Sequence, residues 1–402
     1  MAHILSRRTF FQTTAAAALT ARTLAQAQQT QAPKIAGFDE TNAGKVKAAA
    51  WTPFSDRKVK VGIAGYGVCK FGASFGFQNH PNVEVVAATD LNPDACAELA
   101  KVTGAKKTYA SCEEMYAKDR EIEAVFIATD APSHAKLCIE GMKRGLHVAS
   151  AVPAVFGEEQ LELADELLAT VKKTGLVYAL FETTAFRPQC YAMREIYKAG
   201  GFGKMIYTEG EYYHYMDKHI GSYNGWRVGL PPQYYPTHSN GFYTCVTGGS
   251  FTSVSCLAIP SLLPDNQPGK NRYNNPFASE IALFRTSEGG MARMAVSWDM
   301  PGAGGEKGRV YGQKGSFEAR YSGQADISKV AQEKPPLPPG VPAGGHGGSH
   351  GYLSDDFIRA ILLKQKPVCD VACALNTTVS GIYAHMSAMK DGETLKIPQY
   401  AL

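Results

Sequence analysis

Two glycines around Tyr66, Gly65 and Gly67, are the first residues here whose spacing could do chemistry. They follow the apolar run 59–64 and are answered, roughly 20 positions on, by Asp90 at the end of the next apolar run. In that context Gly65 permits a tight turn and Gly67 lets the backbone approach a pyrophosphate. A helix starting just after them would add unpaired N–H groups and a partial positive charge. Asp90 would accept hydrogen bonds from the adenosine ribose and repel a 2′-phosphate, which favours NAD over NADP. The third glycine of the pattern is absent: Lys70 stands there, with Gly72 two residues later. The alternative is a strand–helix turn that binds nothing, and the strand context together with Asp90 argues against it.

A second constellation lies far along the chain. Trp226-Arg227 is followed by Tyr234-Tyr235-Pro236-Thr237-His238. Histidine titrates near neutral pH and tyrosine can relay a proton or polarise a hydroxyl. His238 could equally be a helix-start residue bonded to backbone, and Tyr235 a packing aromatic. Arg227 could meet a sugar hydroxyl, a carboxylate or an internal acid. His214, Asp217 and His219, with His346 and His350, offer imidazole and carboxylate groups that would suit zinc. Nothing in their spacing demands an ion, so no metal is expected. His350, in the Pro- and Gly-rich stretch 334–351, and Tyr352 just after it read as a mobile rim of a substrate cleft.

These residues need a scaffold. Apolar runs at 59–64, 83–89, 124–129, 147–149 and 176–180 alternate with helical patterns at 92–102, 133–144 and 158–173. Such alternation implies βαβ units and a parallel sheet. After about residue 184 a helix at 188–199 leads into strand-like runs at 205–215, 250–258, 280–286, 291–298 and 309–320, joined by Gly-rich turns. Consecutive strands of that kind favour a mostly antiparallel sheet. Helices at 352–364 and 371–389 end the chain. The fold class is therefore α/β: an N-terminal Rossmann dinucleotide-binding domain, 58–183, then an α/β domain with a large, mostly antiparallel open sheet, 184–402.

The N-terminus reads as an address. Arg7-Arg8-Thr9-Phe10 precedes a short apolar, alanine-rich run and Ala25-Gln26-Ala27. That is a charged region, a hydrophobic region and a small-residue cleavage pattern, so 1–27 is expected to be an export signal of twin-arginine type, leading to the periplasm. Residues 28–57 read as a linker or arm. The apolar run of the signal is too short to span a bilayer, and no membrane anchor is expected after it. A net charge of +4 on 402 residues, with no basic stripe, argues against nucleic acid. The nine cysteines suggest no zinc ribbon and are expected to be mostly free, buried thiols.

The segments VGIAGYG (61–67), VVAATD (85–90), Ala128 to His134, GLHVASAVPA (145–154) and Lys396-Ile397-Pro398 resemble the Gfo/Idh/MocA family of sugar and cyclitol oxidoreductases. The resemblance implies a nicotinamide lying over the second domain's sheet, with Thr129, His134, the Pro153 segment and Glu182 near the cofactor. His134 has a helix-capping alternative and Glu182 an ion-pair alternative. The family commonly carries Glu-Lys-Pro where this chain has Ala151-Val152-Pro153. Tyr235-Pro236-Thr237-His238 further resembles the exported, NAD-dependent glycosidase branch, the α-N-acetylgalactosaminidase-like enzymes. That likeness implies Tyr235 and His238 as proton-transfer residues, with Trp226, Arg227, His350 and Tyr352 towards substrate. It also implies redox-neutral chemistry: hydride leaves C3, the leaving group is eliminated, water adds and the hydride returns. The branch has Glu where Ala151 stands. The expected function is hydride transfer at a ring hydroxyl of a sugar or glycoside. A glycosidase, or a sugar-binding protein with a structural nucleotide, are the alternatives. Export before use favours NAD that is held tightly and restored in each cycle. An open sheet face implies a homo-oligomer, dimer or tetramer.

Overall fold

The computed structural model describes residues 51–264, 267–302 and 304–402. The expected signal, 1–27, and most of the arm, 28–57, lie outside the described residues. The end of the arm runs beside the first sheet, where Asn82 donates to the carbonyls of Ser55 and Arg57 at 2.7 and 2.9 Å.

The first half is the expected alternation. Strands β1 (Val59–Ala64), β2 (Val83–Thr89), β3 (Lys107–Tyr109), β4 (Ala124–Ile127), β5 (His147–Ser150) and β6 (Tyr178–Leu180) form one parallel sheet in the order 3-2-1-4-5-6. Between them run α1 (Pro93–Thr103), α2 (Cys112–Lys118), α3 (His134–Lys143) and α4 (Leu161–Thr174). The strands are almost wholly buried, as a sheet covered on both faces requires. Asn92 caps α1 by accepting from the N–H groups of Asp94 and Ala95. The strand order reverses between β1 and β4. Ligands of such sheets bind beyond the strand ends at that switch.

The second half opens with α5 (Pro188–Lys198) and β7 (Met205–His214), then α6 (Thr237–Thr247). Strands β8 (Phe251–Pro260), β9 (Phe277–Thr286), β10 (Met291–Ser297), β11 (Gly304–Gly312), β12 (Gly315–Phe317) and β13 (Tyr321–Gly323) follow, then α7 (His350–Leu363), α8 (Val371–Ala388) and β14 (Leu395–Lys396). They build an eight-stranded sheet in the order 13-12-11-7-10-9-8-14. All its pairs are antiparallel except β7 with β10, which run parallel because β7 sits between β11 and β10 rather than beside its sequence neighbour. Of the Gly-rich turn expected at 302–305, Gly302 lies in a turn, whereas Gly304 and Gly305 begin β11 and pair with His214 and Tyr213. β11 accordingly ends at Gly312, well before the expected 320.

Helix α6 bears out the helix-start alternative for His238, its second residue. Its Thr, Ser, Asn and Gly residues are poor helix formers, yet every residue from Thr237 to Val246 is buried. Packing against β7, α5 and α8 supplies what propensity lacks. The contact with β7 is backbone-close: a Cβ on Gly210 would lie 2.1 Å from the Ser239 carbonyl oxygen. All nine cysteines are free, and eight of them are buried. No described helix is long and apolar enough to cross a membrane.

Gly210→Ala should lower stability by about 1–3 kcal/mol, because an added methyl there forces β7 and α6 apart. A reduced denaturant midpoint at unchanged slope is the expected result.

Candidate active site

A cleft of about 650 Å³ lies at the switch point, lined by Gly65 to Phe71, Asp90, Thr129, His134 and, at its inner end, Ala151, Trp226, Arg227 and Tyr235. This is the size range of cofactor pockets. Gly65 has φ +102, and a Cβ there would meet the Ala128 carbonyl oxygen at 2.4 Å, so only glycine lets β1 turn this tightly against β4. A Cβ on Gly67 would meet nothing within 4 Å; that backbone faces open cleft. Asp90 accepts from the Tyr66 N–H at 2.6 Å and the Asn92 N–H at 2.8 Å, so it shapes the glycine turn as well as facing the cleft. The helix expected after the glycines is a single turn, Phe71–Ser74. Its dipole is correspondingly small. The cation at this point is Lys70, whose ammonium sits 4.0 Å over the Tyr66 ring and 2.9 Å from Glu98. Open glycine backbone, an acidic residue for a ribose and a lysine for phosphate together fit a dinucleotide.

His134 is buried. Its Nδ1 is 2.9 Å from the Pro153 carbonyl oxygen and its Nε2 is 3.3 Å from that of Thr129. Both ring nitrogens are thus occupied by backbone, and the ring pins the two loops that wall the cleft. Pro153 contributes through that carbonyl rather than as part of the cleft lining.

The inner end is built from charge. Glu182, directly after β6, is completely buried and accepts at Oε1 from the Thr184 N–H at 2.8 Å. The same oxygen is 3.0 Å from His238 Nδ1, at the first turn of α6. Glu182 therefore pairs with His238 rather than lining the cleft. A second buried carboxylate, Glu306 on β11, is gripped by Arg187 through Nε at 2.5 Å and Nη2 at 2.7 Å, and by the Thr184 hydroxyl at 3.0 Å. Its Oε2 is 3.9 Å from His238 Nδ1. Burial alone would lower the pKa of His238 and raise that of Glu182. Their mutual attraction, helped at His238 by Glu306, outweighs burial and moves each the other way, which favours the charged forms of both. With Nδ1 committed to Glu182, Nε2 is the nitrogen left to exchange a proton with a ligand.

Tyr235 joins the two regions. It lines the dinucleotide cleft and, with Phe75, Thr183, His238 and His346, a small recess behind it. Burial pushes its hydroxyl up to about 12, against the pull of Arg227. Arg227 lies 4.2 Å over the Trp226 ring and 5.6 Å from the Tyr235 ring. The turn before Tyr235 is held from behind: Glu280 accepts from the Gln233 N–H and pairs with His385, both at 2.6 Å.

The end of the stretch expected as a mobile rim, His346 to His350, packs inward, while Pro339 and Gly340 earlier in it stay exposed. His350 is stacked on Phe75 at 4.1 Å, and its Nδ1 is 3.2 Å from the Ser74 carbonyl oxygen. That oxygen can only accept, so Nδ1 carries the proton and Nε2 accepts from His346 Nδ1 at 2.8 Å. Burial drives His350 down to about 4 and His346 well below the usual histidine range, so both rings are neutral. His346 holds a left-handed backbone, φ +51, to reach this position. Tyr352 stacks on Phe186 at 5.7 Å. Neither His350 nor Tyr352 lines the cleft; aromatic packing draws both inward.

The histidines and acid considered for a metal, His214, Asp217 and His219 with His346 and His350, are not gathered at one point. Ligand atoms of His238, Glu306 and His346 do lie within 4.8 Å of one another. Arg187 already occupies Glu306 from both oxygens, so that carboxylate's charge is balanced by a guanidinium. Sequence reasoning missed Lys70, Arg187, Glu306 and the inward placement of His346. Arg187 directly before a helix-opening proline was a weak signal, and Glu306 was hidden in an apparent turn.

Residues 59–181 match the family model GFO_IDH_MocA, described as an oxidoreductase family with an NAD-binding Rossmann fold. Glycosyl hydrolase family 109 protein 1 of Bacteroides fragilis is 29% identical over 204 residues, which covers 46% of this chain and 42% of that protein. Its namesake in Bacteroides thetaiotaomicron is 30% identical over 204 residues, covering 46% and 41%. The match thus spans less than half the length of these curated relatives. Among solved structures, levoglucosan dehydrogenase in complex with NADH and levoglucosan superposes with a TM-score of 0.69 at 17% identity, over 85% of this chain and 100% of that one. A putative myo-inositol dehydrogenase from Sinorhizobium meliloti gives 0.66 at 16%, over 85% and 100%. At such identities the likeness is one of fold.

Asp90→Ala should weaken NAD binding about tenfold or more and narrow the preference over NADP, since it removes both a ribose acceptor and the charge that repels a 2′-phosphate. Fluorescence titration with each reduced nucleotide checks this.

Proposed function

We propose that this chain, whose Rossmann domain is that of the Gfo/Idh/MocA oxidoreductases, is an exported enzyme acting on a ring hydroxyl of a sugar or glycoside with tightly held NAD. One observation carries the reading. The hydrogen-bonded His238–Glu182 pair abuts Tyr235, and Tyr235 also walls the inner end of the dinucleotide cleft. A proton-transfer group therefore sits where the cofactor's reactive end would come.

When bound, NAD supplies the hydride acceptor and donor. The protein's own task is to move the hydroxyl proton and orient the sugar. Once His238 has lost its own proton to solvent, its Nε2 takes the hydroxyl proton directly or through the Tyr235 hydroxyl; Glu182 fixes the ring through Nδ1 and stabilises the imidazolium. The Arg187–Glu306 pair keeps the second carboxylate from drawing His238 away. Trp226 and Arg227 offer an aromatic face and a cation to the sugar at the cleft's inner end.

A second reading is favoured by the names of the curated relatives: a redox-neutral glycosidase, in which oxidation is temporary and the leaving group departs before the hydride returns. It agrees with export, because an enzyme outside the cytoplasm that restores its own NAD needs no external supply. A homodimer or homotetramer belongs to the same proposal.

The discriminating experiment offers free sugars and p-nitrophenyl glycosides to the NAD-loaded protein. Persistent reduced cofactor indicates a dehydrogenase; nitrophenol release with the cofactor unchanged indicates a glycosidase. Neither signal on any sugar would sink both readings. His238→Ala should cost about 10²–10⁴-fold in turnover with NAD affinity retained. The acid limb of the kcat/KM profile should lie above the ordinary histidine value of about 6.5, since His238 must lose its proton to act as a base and its pKa is raised. Glu182→Gln removes the attraction that raises it, so the limb should move to lower pH.

A further inference from the structure

Well away from the cleft lining, three sulfurs converge. Cys245 lies on α6 about two turns beyond His238. Cys369 directly precedes α8, and Cys373 is in that helix's first turn. All three thiols are free and buried, and their sulfurs lie within 4.8 Å of one another, Cys369 and Cys373 at 3.5 Å. A metal ion bound by three thiolates at ~2.3 Å would space the sulfurs by about 4 Å. The cluster already has that spacing without rearranging a helix.

The helix geometry favours an anion at one of the three. Cys373 sits at the N-terminus of an 18-residue helix, where the partial positive charge stabilises an anion. The Asp370 side chain caps that helix by accepting from the Cys373 N–H at 3.0 Å. The buried Arg194 guanidinium donates to the Cys245 carbonyl oxygen at 3.5 Å, adding positive potential on the other side. Thr377, 4.0 Å from the Cys373 sulfur and 2.6 Å from the Thr244 hydroxyl, supplies a polar neighbour. Cys373 keeps 9% of its surface exposed, which is the route in from solvent.

We propose that Cys245, Cys369 and Cys373 form a structural site for one thiophilic d¹⁰ cation, of the Zn²⁺ or Cu⁺ class. Each sulfur that ligates gives its proton to solvent, and no electron is transferred. Soft thiolate sets select such ions. A bound ion would tie α6 to the N-terminus of α8. Because the Leu180 N–H donates to the Cys369 carbonyl oxygen at 3.0 Å, it would also hold the end of β6. These are the elements that carry His238 and Glu182, so the ion would clamp the active-site pair from below without touching substrate.

The test is an anaerobic titration of the reduced full-length protein with Cd²⁺ as a spectroscopic probe, and with Zn²⁺. One equivalent of Cd²⁺ should give a saturating ultraviolet thiolate charge-transfer band. Zn²⁺ should raise the melting temperature by mass action. Cys373→Ser should weaken Cd²⁺ binding by about 100-fold or more, whereas Cys256→Ser, on β8, should leave it intact. If Cys373→Ser does not fold, Cys245→Ala serves in its place, judged by the same band. No band, or a band that persists at full affinity in Cys373→Ser or Cys245→Ala, would overturn the proposal.

Discussion

Two carboxylates buried within reach of one imidazole are the constraint around which the second half of this fold is arranged. Glu182 and Glu306 are both fully buried, and an ionised carboxylate cannot be left unpaired in such a place. Each has been given a cationic partner from a different element: His238 from the start of α6, Arg187 from the residue before α5. Thr184 stands between, its hydroxyl on Glu306 and its N–H on Glu182. Removing either cation would leave an uncompensated charge, so the ends of β6, α5, α6 and β11 are tied to one point. That point is the inner end of the cleft.

The first sheet's role is narrower. It places Gly65, Gly67 and Asp90 at the edge where strand order reverses, and it delivers Glu182 at the end of its last strand. The C-terminal helix α8 then binds the two halves: Thr378 accepts from the Ala154 N–H at 3.3 Å, while the Thr377 carbonyl and the Ser380 hydroxyl accept from Asn240 on α6 at 3.0 Å. A helix from the end of the chain thus touches both the loop after β5 and the helix that carries His238. This explains why α6, with its unpromising composition, is nonetheless helical: it is enclosed on every side.

Local chemistry was legible in the sequence and long-range chemistry was not. The parallel sheet could be read from apolar runs, and the glycine turn with Asp90 from their spacing, because both are local patterns with a fixed period. Tyr235 and His238 stood out because they share a short segment. Glu306 did not, since its significance depends on β11 lying against β7, a pairing set by sheet order rather than by neighbours in sequence. The parallel pairing of β7 with β10 was illegible for the same reason. His350 was misjudged as part of a rim because glycine and proline around it signal irregular backbone, which says nothing about burial; Phe71 and Phe75 decide that. The short helix after the glycines shows the reverse error, a family pattern extended past the residues that support it.

The cleft runs from Asp90, at the adenosine end of a bound dinucleotide, to Tyr235, and the His238–Glu182 pair stands directly behind that tyrosine. A crystal structure of the protein with NAD tests that arrangement most directly. The account predicts the adenosine ribose on Asp90 and the nicotinamide ring against Tyr235, within reach of the His238 side. A nucleotide that binds with its nicotinamide turned out of the cleft, or fails to bind at saturating NAD, would contradict it.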